Sequence, residues 1–251
     1  LSSAASDVYK RQVQTISEYE GVPKNFVLCG NGASELIYAY CGAVRPKRAM
    51  ELAPTFSEYS LALRRTGCEV VRFALKQEEN FDLGENFLPI LAREKIDALF
   101  LCNPNNPTGV VYDEATIKAM AAILEKKEKE FGTSIVLISD EPYRELAYGG
   151  VDVPFVTKFY HNAVVGYSYS KSLSVPGERI GYVVIPDEVD DSAALIGAAT
   201  IANRVIGCVN APSLIQKALQ YCIQHDVTVD LATYEKNRNL IYGALTEYGF
   251  T

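Results

Sequence analysis

The 251-residue sequence has no tryptophan, only two methionines and only two histidines. His161 and His225 are too few and too isolated to build a metal cluster. The six cysteines, Cys29, Cys41, Cys68, Cys102, Cys208 and Cys222, contain no C-x-x-C pair. Most sit inside apolar runs such as Val27-Leu28-Cys29 and Leu99-Phe100-Leu101-Cys102. That pattern predicts buried free thiols in a reducing, cytoplasmic setting, and argues against disulfides or zinc ligation. No apolar run approaches the roughly 20 residues of a membrane span. Basic excess is missing too: 24 Lys and Arg stand against 31 Asp and Glu, a net charge of −7. Such a chain lacks the general electrostatic footprint of nucleic-acid binding. At the start, Leu1 to Gln12 carries neither a methionine nor an apolar leader core. Residues 1–16 therefore read as a non-native or disordered start and not as a signal peptide.

What is present is a globular composition. Hydrophobic residues make up 48% and charged residues 22%, which excludes disordered, collagen-like and coiled-coil classes for most of the length. Short apolar or β-branched runs recur at Phe26–Cys29, Ala49–Leu52, Glu69–Phe73, Ala98–Cys102, Ile135–Ser139, Ala163–Tyr167 and Tyr182–Ile185. Helical patterns fall between several of them. Ser34–Ala43 carries apolar Leu36, Ile37, Ala39 and Tyr40 behind Ser34 as N-cap. Ser57–Thr66 is a second helix. In Asp113–Phe131, Asp113 caps and Ile117, Met120, Ala121 and Leu124 make an i, i+3, i+4, i+7 stripe. Strands buried on both faces and separated by helices predict an α/β fold, three layers α-β-α around a mainly parallel sheet. The tail differs: Asp187–Asn203, Pro212–Gln224 and Thr228–Tyr248 read as three helices with no intervening strand.

Ligands of such sheets bind outside the carboxyl ends of the strands, so the strand-end segments carry the functional signal. After Ala163–Tyr167 comes Ser168-Tyr169-Ser170-Lys171, with Arg179 further on. A lysine directly after a buried strand pays for desolvation, and desolvation lowers its pKa, as a Schiff-base lysine requires. Serine hydroxyls with a guanidinium suit a phosphate. A surface loop with an accidental basic pair is the bland alternative. After Ile135–Ser139 comes Asp140-Glu141-Pro142-Tyr143. Asp140 is poorly solvated unless a cation such as a protonated ring nitrogen meets it; a helix cap is the alternative. Asn103-Pro104-Asn105-Asn106-Pro107-Thr108-Gly109 follows a third strand, and its asparagines can donate to a ring oxygen. Gly30-Asn31-Gly32-Ala33-Ser34 is a glycine turn entering a helix, a place for an anion, which a nicotinamide dinucleotide could use as well.

These four segments, in this order, resemble the class I/II aminotransferases, the fold-type I enzymes that use pyridoxal 5′-phosphate. The matching residues are Ser168-x-Ser170-Lys171 with Arg179, Asn106-Pro107-Thr108-Gly109, and Asp140-x-x-Tyr143. The resemblance implies that Lys171 forms the Schiff base and moves the proton, and that Asp140 pairs with the pyridinium nitrogen. It gives the ring's phenolic oxygen to Asn106 and Tyr143, and the phosphate to Gly32, Ala33, Ser34, Ser168, Ser170 and Arg179. Tyr59, in Pro54-Thr55-Phe56-Ser57-Glu58-Tyr59, matches the aromatic that stacks on the ring, although a core tyrosine on a helix fits nearly as well. The implied activity moves an amino group between an amino acid and a 2-oxo acid. Alternatives on the same residues are a decarboxylase of the threonine-phosphate type, a β-lyase, or an effector-sensing domain of a transcription regulator. Residues 17–226 match the cofactor-binding large domain and 227–251 a helix linking to a small domain. The family pattern starts earlier than this chain and continues past Thr251, so a fragment is expected, one that would pair as a homodimer at full length. The first half is most similar to threonine-phosphate decarboxylases and histidinol-phosphate aminotransferases, the second to aspartate-type aminotransferases. The Asn103–Gly109 turn would be the join of a chimera.

Overall fold

The computed structural model describes residues 2–207 and 209–250, which leaves Cys208 outside the description. The elements run α1 (Ser2–Glu20), β1 (Val27–Gly30), α2 (Ala33–Val44), β2 (Arg48–Ala53), α3 (Glu58–Arg65), β3 (Glu69–Ala74), α4 (Phe87–Leu91) and β4 (Ala98–Cys102). They continue with α5 (Glu114–Phe131), β5 (Val136–Asp140), β6 (Ala163–Ser168), α6 (Tyr169–Ser172), β7 (Gly181–Val184), α7 (Ser192–Ile206), α8 (Ser213–Gln224) and α9 (Leu231–Glu247). All seven expected strands form, and they join one sheet in the order β1-β7-β6-β5-β4-β2-β3. β7 runs antiparallel to both neighbours, while the pairs among β6, β5, β4, β2 and β3 are parallel. β1 thus points the same way as β6. Gly30, Cys102, Asp140 and Ser168 end their strands on one edge, and register sets Cys102 beside Asp140 and Asp140 beside Gly166.

Two apolar layers cover the sheet. Leu99, Leu101, Leu137, Val165 and Tyr182 face one way and meet Ile16 of α1, the Ile117–Leu124 stripe of α5 and Leu219 of α8. Leu28, Phe100, Ile138, Val164 and Val183 face the other and meet Leu36 and Tyr40 of α2, Tyr59 and Leu63 of α3, and Ala199 of α7. α5 starts where expected, because Asp113 accepts from the Thr116 N–H at 2.8 Å. It stops at Gly132, whose φ of 62° ends the helix in the left-handed region.

Two expectations need correction. The start of the chain is helical and not disordered: α1 packs on α8, with Gln12, Thr15, Ile16 and Ser17 buried and Tyr9 Oη accepting from the Cys29 N–H at 3.3 Å. Ser34 does not cap α2. Gly32 holds that position with φ 88°, and Ser34 lies in the first turn. The five cysteines among the described residues are free thiols, and Cys29, Cys41, Cys68 and Cys102 are buried as expected. The described residues hold no cluster of three or more metal-ligating side chains, and no described helix is long and apolar enough to cross a membrane.

Candidate active site

A cavity of about 190 Å³ opens at the edge where those four strands end. Ala33, Ser34, Asn106, Asp140, Tyr143, Ser168, Ser170, Lys171 and Arg179 all line it, with Phe56, Cys102, Pro142 and Pro176. Residues scattered over most of the sequence therefore meet at one place. The cause is topological: parallel strands deliver each following loop to the same edge.

The asparagine turn shows how the scaffold divides its polar groups. Asn103 is spent internally, its amide donating to the Tyr112 carbonyl at 3.1 Å and its oxygen accepting from the Tyr112 N–H at 2.9 Å. Asn105 donates to Thr108 Oγ1 at 2.8 Å and to the Pro54 carbonyl at 3.1 Å. Asn106 alone of the three lines the cavity, donating to Tyr143 Oη at 3.1 Å. Burial, with Cys102 and Asp140 nearby, raises the Tyr143 phenol above its ordinary pKa.

Asp140 is 3% exposed. Its Oδ2 accepts from Tyr59 Oη at 2.8 Å, and its Oδ1 is buried with no partner among the described residues. Burial pushes its pKa up to about 7, against the pull of the Tyr59 hydrogen bond. A carboxylate so placed calls for a cationic donor from a ligand.

At the opposite end the groups suit an anion. Ala33 and Ser34 are the first two residues of α2, where backbone N–H groups have no intrahelical acceptor. Ser168 Oγ and Ser170 Oγ lie 2.8 Å apart, and the Ser170 N–H donates to Ser168 Oγ at 3.3 Å. Arg179 has φ 52° and donates to the Pro176 carbonyl at 3.1 Å. Its guanidinium lies over Gly32, where a Cβ would come within 2.6 Å of Nη2.

Lys171 sits on the single turn α6, its Nζ 5.6 Å from the centroid of the Tyr143 ring. The sequence reading expected a buried lysine; here it is exposed. Three residues past the end of β6, the chain has left the sheet, and the side chain stands at the cavity mouth. Tyr59 takes the second of its two readings, the core tyrosine on a helix. It is fully buried, edge-on to Phe56 and packed on Phe100 at 5.4 Å, and it does not line the cavity. Phe56 does. α3 starts at Glu58, so Tyr59 turns inward with the first helical turn while Phe56 stays in the loop at the end of β2. The available signal was the pair of aromatics three apart astride the helix start.

Residues 6–251 match the family model for aminotransferase class I and II, and the chain belongs to that family. It is 32% identical over 176 residues to the threonine-phosphate decarboxylase of Salmonella typhimurium, which covers 70% of this chain and 46% of that protein. It is 32% identical over 211 residues to a histidinol-phosphate aminotransferase of Desulfitobacterium hafniense, covering 82% of this chain and 53% of that one. The chain thus spans about half the length of these relatives. Among solved structures, an amino transferase from Eubacterium rectale superimposes with a TM-score of 0.88 at 39% identity, over 96% of this chain and 62% of the other. One solved structure therefore matches across nearly the whole chain, on both sides of the Asn103–Gly109 turn. The family's cofactor is pyridoxal 5′-phosphate, and the residues fit it: an unpartnered buried carboxylate oxygen for the ring nitrogen, Asn106 and Tyr143 for the phenolic oxygen, and a helix start with Ser34, Ser168, Ser170 and Arg179 for the phosphate.

Proposed function

We propose that this chain carries the cofactor-binding part of a transaminase that moves an amino group between an amino acid and a 2-oxo acid. The observation behind this reading is the meeting of Lys171, the unpartnered Asp140 Oδ1, the Asn106–Tyr143 pair and Arg179 around one cavity. Pyridoxal 5′-phosphate supplies a carbonyl carbon that captures amines and a ring that accepts the electron pair released at the substrate Cα. The phosphate end is anchored by Arg179, the serine hydroxyls and the first N–H groups of α2. Phe56 lines the cavity and would pack on the ring. Asp140 keeps the ring nitrogen protonated, so the ring stays electron-poor. Lys171 would tether the cofactor through Nζ and, as a free amine, would serve as the general base at the substrate Cα. Tyr143 and Asn106, already paired with each other, would hold the phenolic oxygen.

Decarboxylation is the second reading. The resemblance to the Salmonella threonine-phosphate decarboxylase favours it, and the same lysine, aspartate and phosphate cup would serve. We also infer a homodimer, as the exposed Ile201, Val205 and Ile206 along α7 leave an apolar face for a second copy.

Borohydride reduction of the protein loaded with cofactor, followed by digestion and mass spectrometry, tests the reading. The pyridoxyl group is expected on Lys171, and Lys171→Ala should lower turnover by at least about 10³-fold. A label on another lysine would refute the assignment. Keto acid product without carbon dioxide release marks transamination; carbon dioxide release marks the second reading.

A further inference from the structure

Tyr59 has no contact with the cavity, yet it is the described residue whose side chain hydrogen-bonds the Asp140 carboxylate. Its ring cannot shift easily. Phe56 meets it edge-on at 5.5 Å and Phe100 packs against it at 5.4 Å, with the whole side chain 0% exposed. The hydroxyl therefore has a fixed address, 2.8 Å from Asp140 Oδ2. The neighbouring thiol does not compete for the carboxylate, because Cys102 Sγ is directed to the Pro104 carbonyl at 3.3 Å. An aspartate side chain turns about two torsions. Fixing one oxygen to a rigid donor sets the plane of the carboxylate and singles out the other oxygen for whatever enters the cavity. That other oxygen, Oδ1, is buried and has no partner among the described residues.

We propose that Tyr59 is the positioning residue of Asp140: it holds Oδ2 so that Oδ1 meets the protonated ring nitrogen of the cofactor, and it thereby sets how strongly the site prefers a ring that has that nitrogen. This inference rests on the cofactor reading above. Tyr59 touches neither cofactor nor substrate and acts only through Asp140. The phenol gives one hydrogen bond to an ionised group, a bond stronger than a neutral one. The hydroxyl also opposes the rise in the Asp140 pKa that burial causes, and so favours the charged form that a pyridinium needs.

The test compares two ligands on the stripped protein: pyridoxal 5′-phosphate, and its deaza analogue with carbon in place of the ring nitrogen. Equilibrium dissociation constants are read by tyrosine fluorescence or absorbance, without turnover. The wild-type chain should prefer the natural ring. Tyr59→Phe keeps the packed ring and removes only the hydroxyl. It should weaken pyridoxal 5′-phosphate by about tenfold, equivalent to about 1.4 kcal/mol, and leave the deaza analogue within about twofold. In an Asp140→Asn background the same substitution should have no further effect on either ligand, since the coupled partner is gone. Equal loss of both ligands, or loss of neither, overturns the proposal and makes Tyr59 a packing residue. Should Tyr59→Phe fold poorly, the Asp140→Asn single variant decides: unchanged preference between the two rings would mean that no Asp140 contact exists for Tyr59 to position. A wild-type chain that binds neither ligand sinks the cofactor reading itself, an outcome separate from both of these.

Discussion

Asp140 and Glu141 are adjacent carboxylates at the end of β5, 3% and 0% exposed, and they serve opposite faces of the sheet. Glu141 belongs to the α1 face. Its Oε1 accepts from Ser139 Oγ at 2.8 Å, and its Oε2 lies 3.8 Å from Arg144 Nη1. Arg144 in turn forks onto Glu20 of α1 at 2.8 and 3.0 Å, donates to Tyr182 Oη at 2.9 Å and lies 4.4 Å over the Tyr167 ring. Burial alone would lower the Arg144 pKa, but Tyr182, Glu20 and Glu141 together hold it above the ordinary arginine value. Asp140, on the other face, has among the described residues one hydrogen bond from a phenol and no cation. The protein thus supplies a counter-charge to the carboxylate that joins α1 to the sheet, and leaves the one at the cavity to be completed by a ligand. Alternation of side chains along a strand makes the division possible, since consecutive residues necessarily serve different layers.

The largest effect that could break this comparison is expected at Arg144. Removing one partner of a buried ion pair strands the others, typically at about 3–5 kcal/mol. Arg144→Met should therefore destabilise the chain by that order in urea unfolding at pH 7, while changing the cofactor dissociation constant by less than about tenfold. If affinity fell more steeply than stability, the two faces would not be separable as described.

A difference in pH behaviour is next. The Asp140 carboxyl is raised from 3.8 to about 7 in the folded chain. Between those values the native state holds a proton that the unfolded chain has already lost. The Asp140 contribution to stability is then full below about pH 3.8 and is lost as pH rises towards 7. The slope for one such group approaches about 1.4 kcal/mol per pH unit. Glu141, raised to about 8 by burial with Arg144 and Ser139 opposing, acts in the same direction. Asp140→Asn should remove one of the two contributions and flatten the decline of the cofactor-free protein between pH 4 and 7. Cofactor should flatten it in the wild type too, by giving the ionised carboxylate its cation. A decline of unchanged slope in Asp140→Asn would count against a protonated, unpaired Asp140.

Much of this was legible in the sequence, and what was not has identifiable causes. Each expected strand forms because an apolar or β-branched run of the right length leaves little else for the chain to do, and Ala98–Cys102 matches to the residue. The cavity residues were legible because strand-end loops converge by topology. Burial within a loop was not. The helix over Ser57–Thr66 was legible and left Tyr59 between a stacking aromatic and a core tyrosine; what no pattern showed was that Phe56, in the loop before α3, would take the cavity instead. Lys171 was expected to be desolvated, yet the turn of α6 carries it to the mouth. The Arg144–Glu20 pair spans 124 positions, and such long-range partners leave no local pattern to read. α1 escaped notice because its composition is polar and its buried residues include Gln12, Thr15 and Ser17.

The smallest expected effect sharpens the comparison on the cavity side. Gly32 has φ 88°, where a side chain is strained, and a Cβ there would come within 2.6 Å of Arg179 Nη2 and 3.0 Å of Cζ. The crowded atoms are the far end of a flexible arginine, so the guanidinium would yield before the sheet does. Gly32→Ala should thus cost about 1–3 kcal/mol of stability, the usual size for a residue held at positive φ with extended ψ, a region that essentially only glycine occupies. The displaced guanidinium should matter more selectively. Pyridoxal 5′-phosphate should bind about tenfold more weakly, or about 1.4 kcal/mol, whereas pyridoxal, which has no phosphate for Arg179 to hold, should bind as in the wild type. Equal weakening of both ligands would show that the substitution disturbs the whole cavity; no weakening of either would remove Arg179 and the start of α2 from the phosphate site.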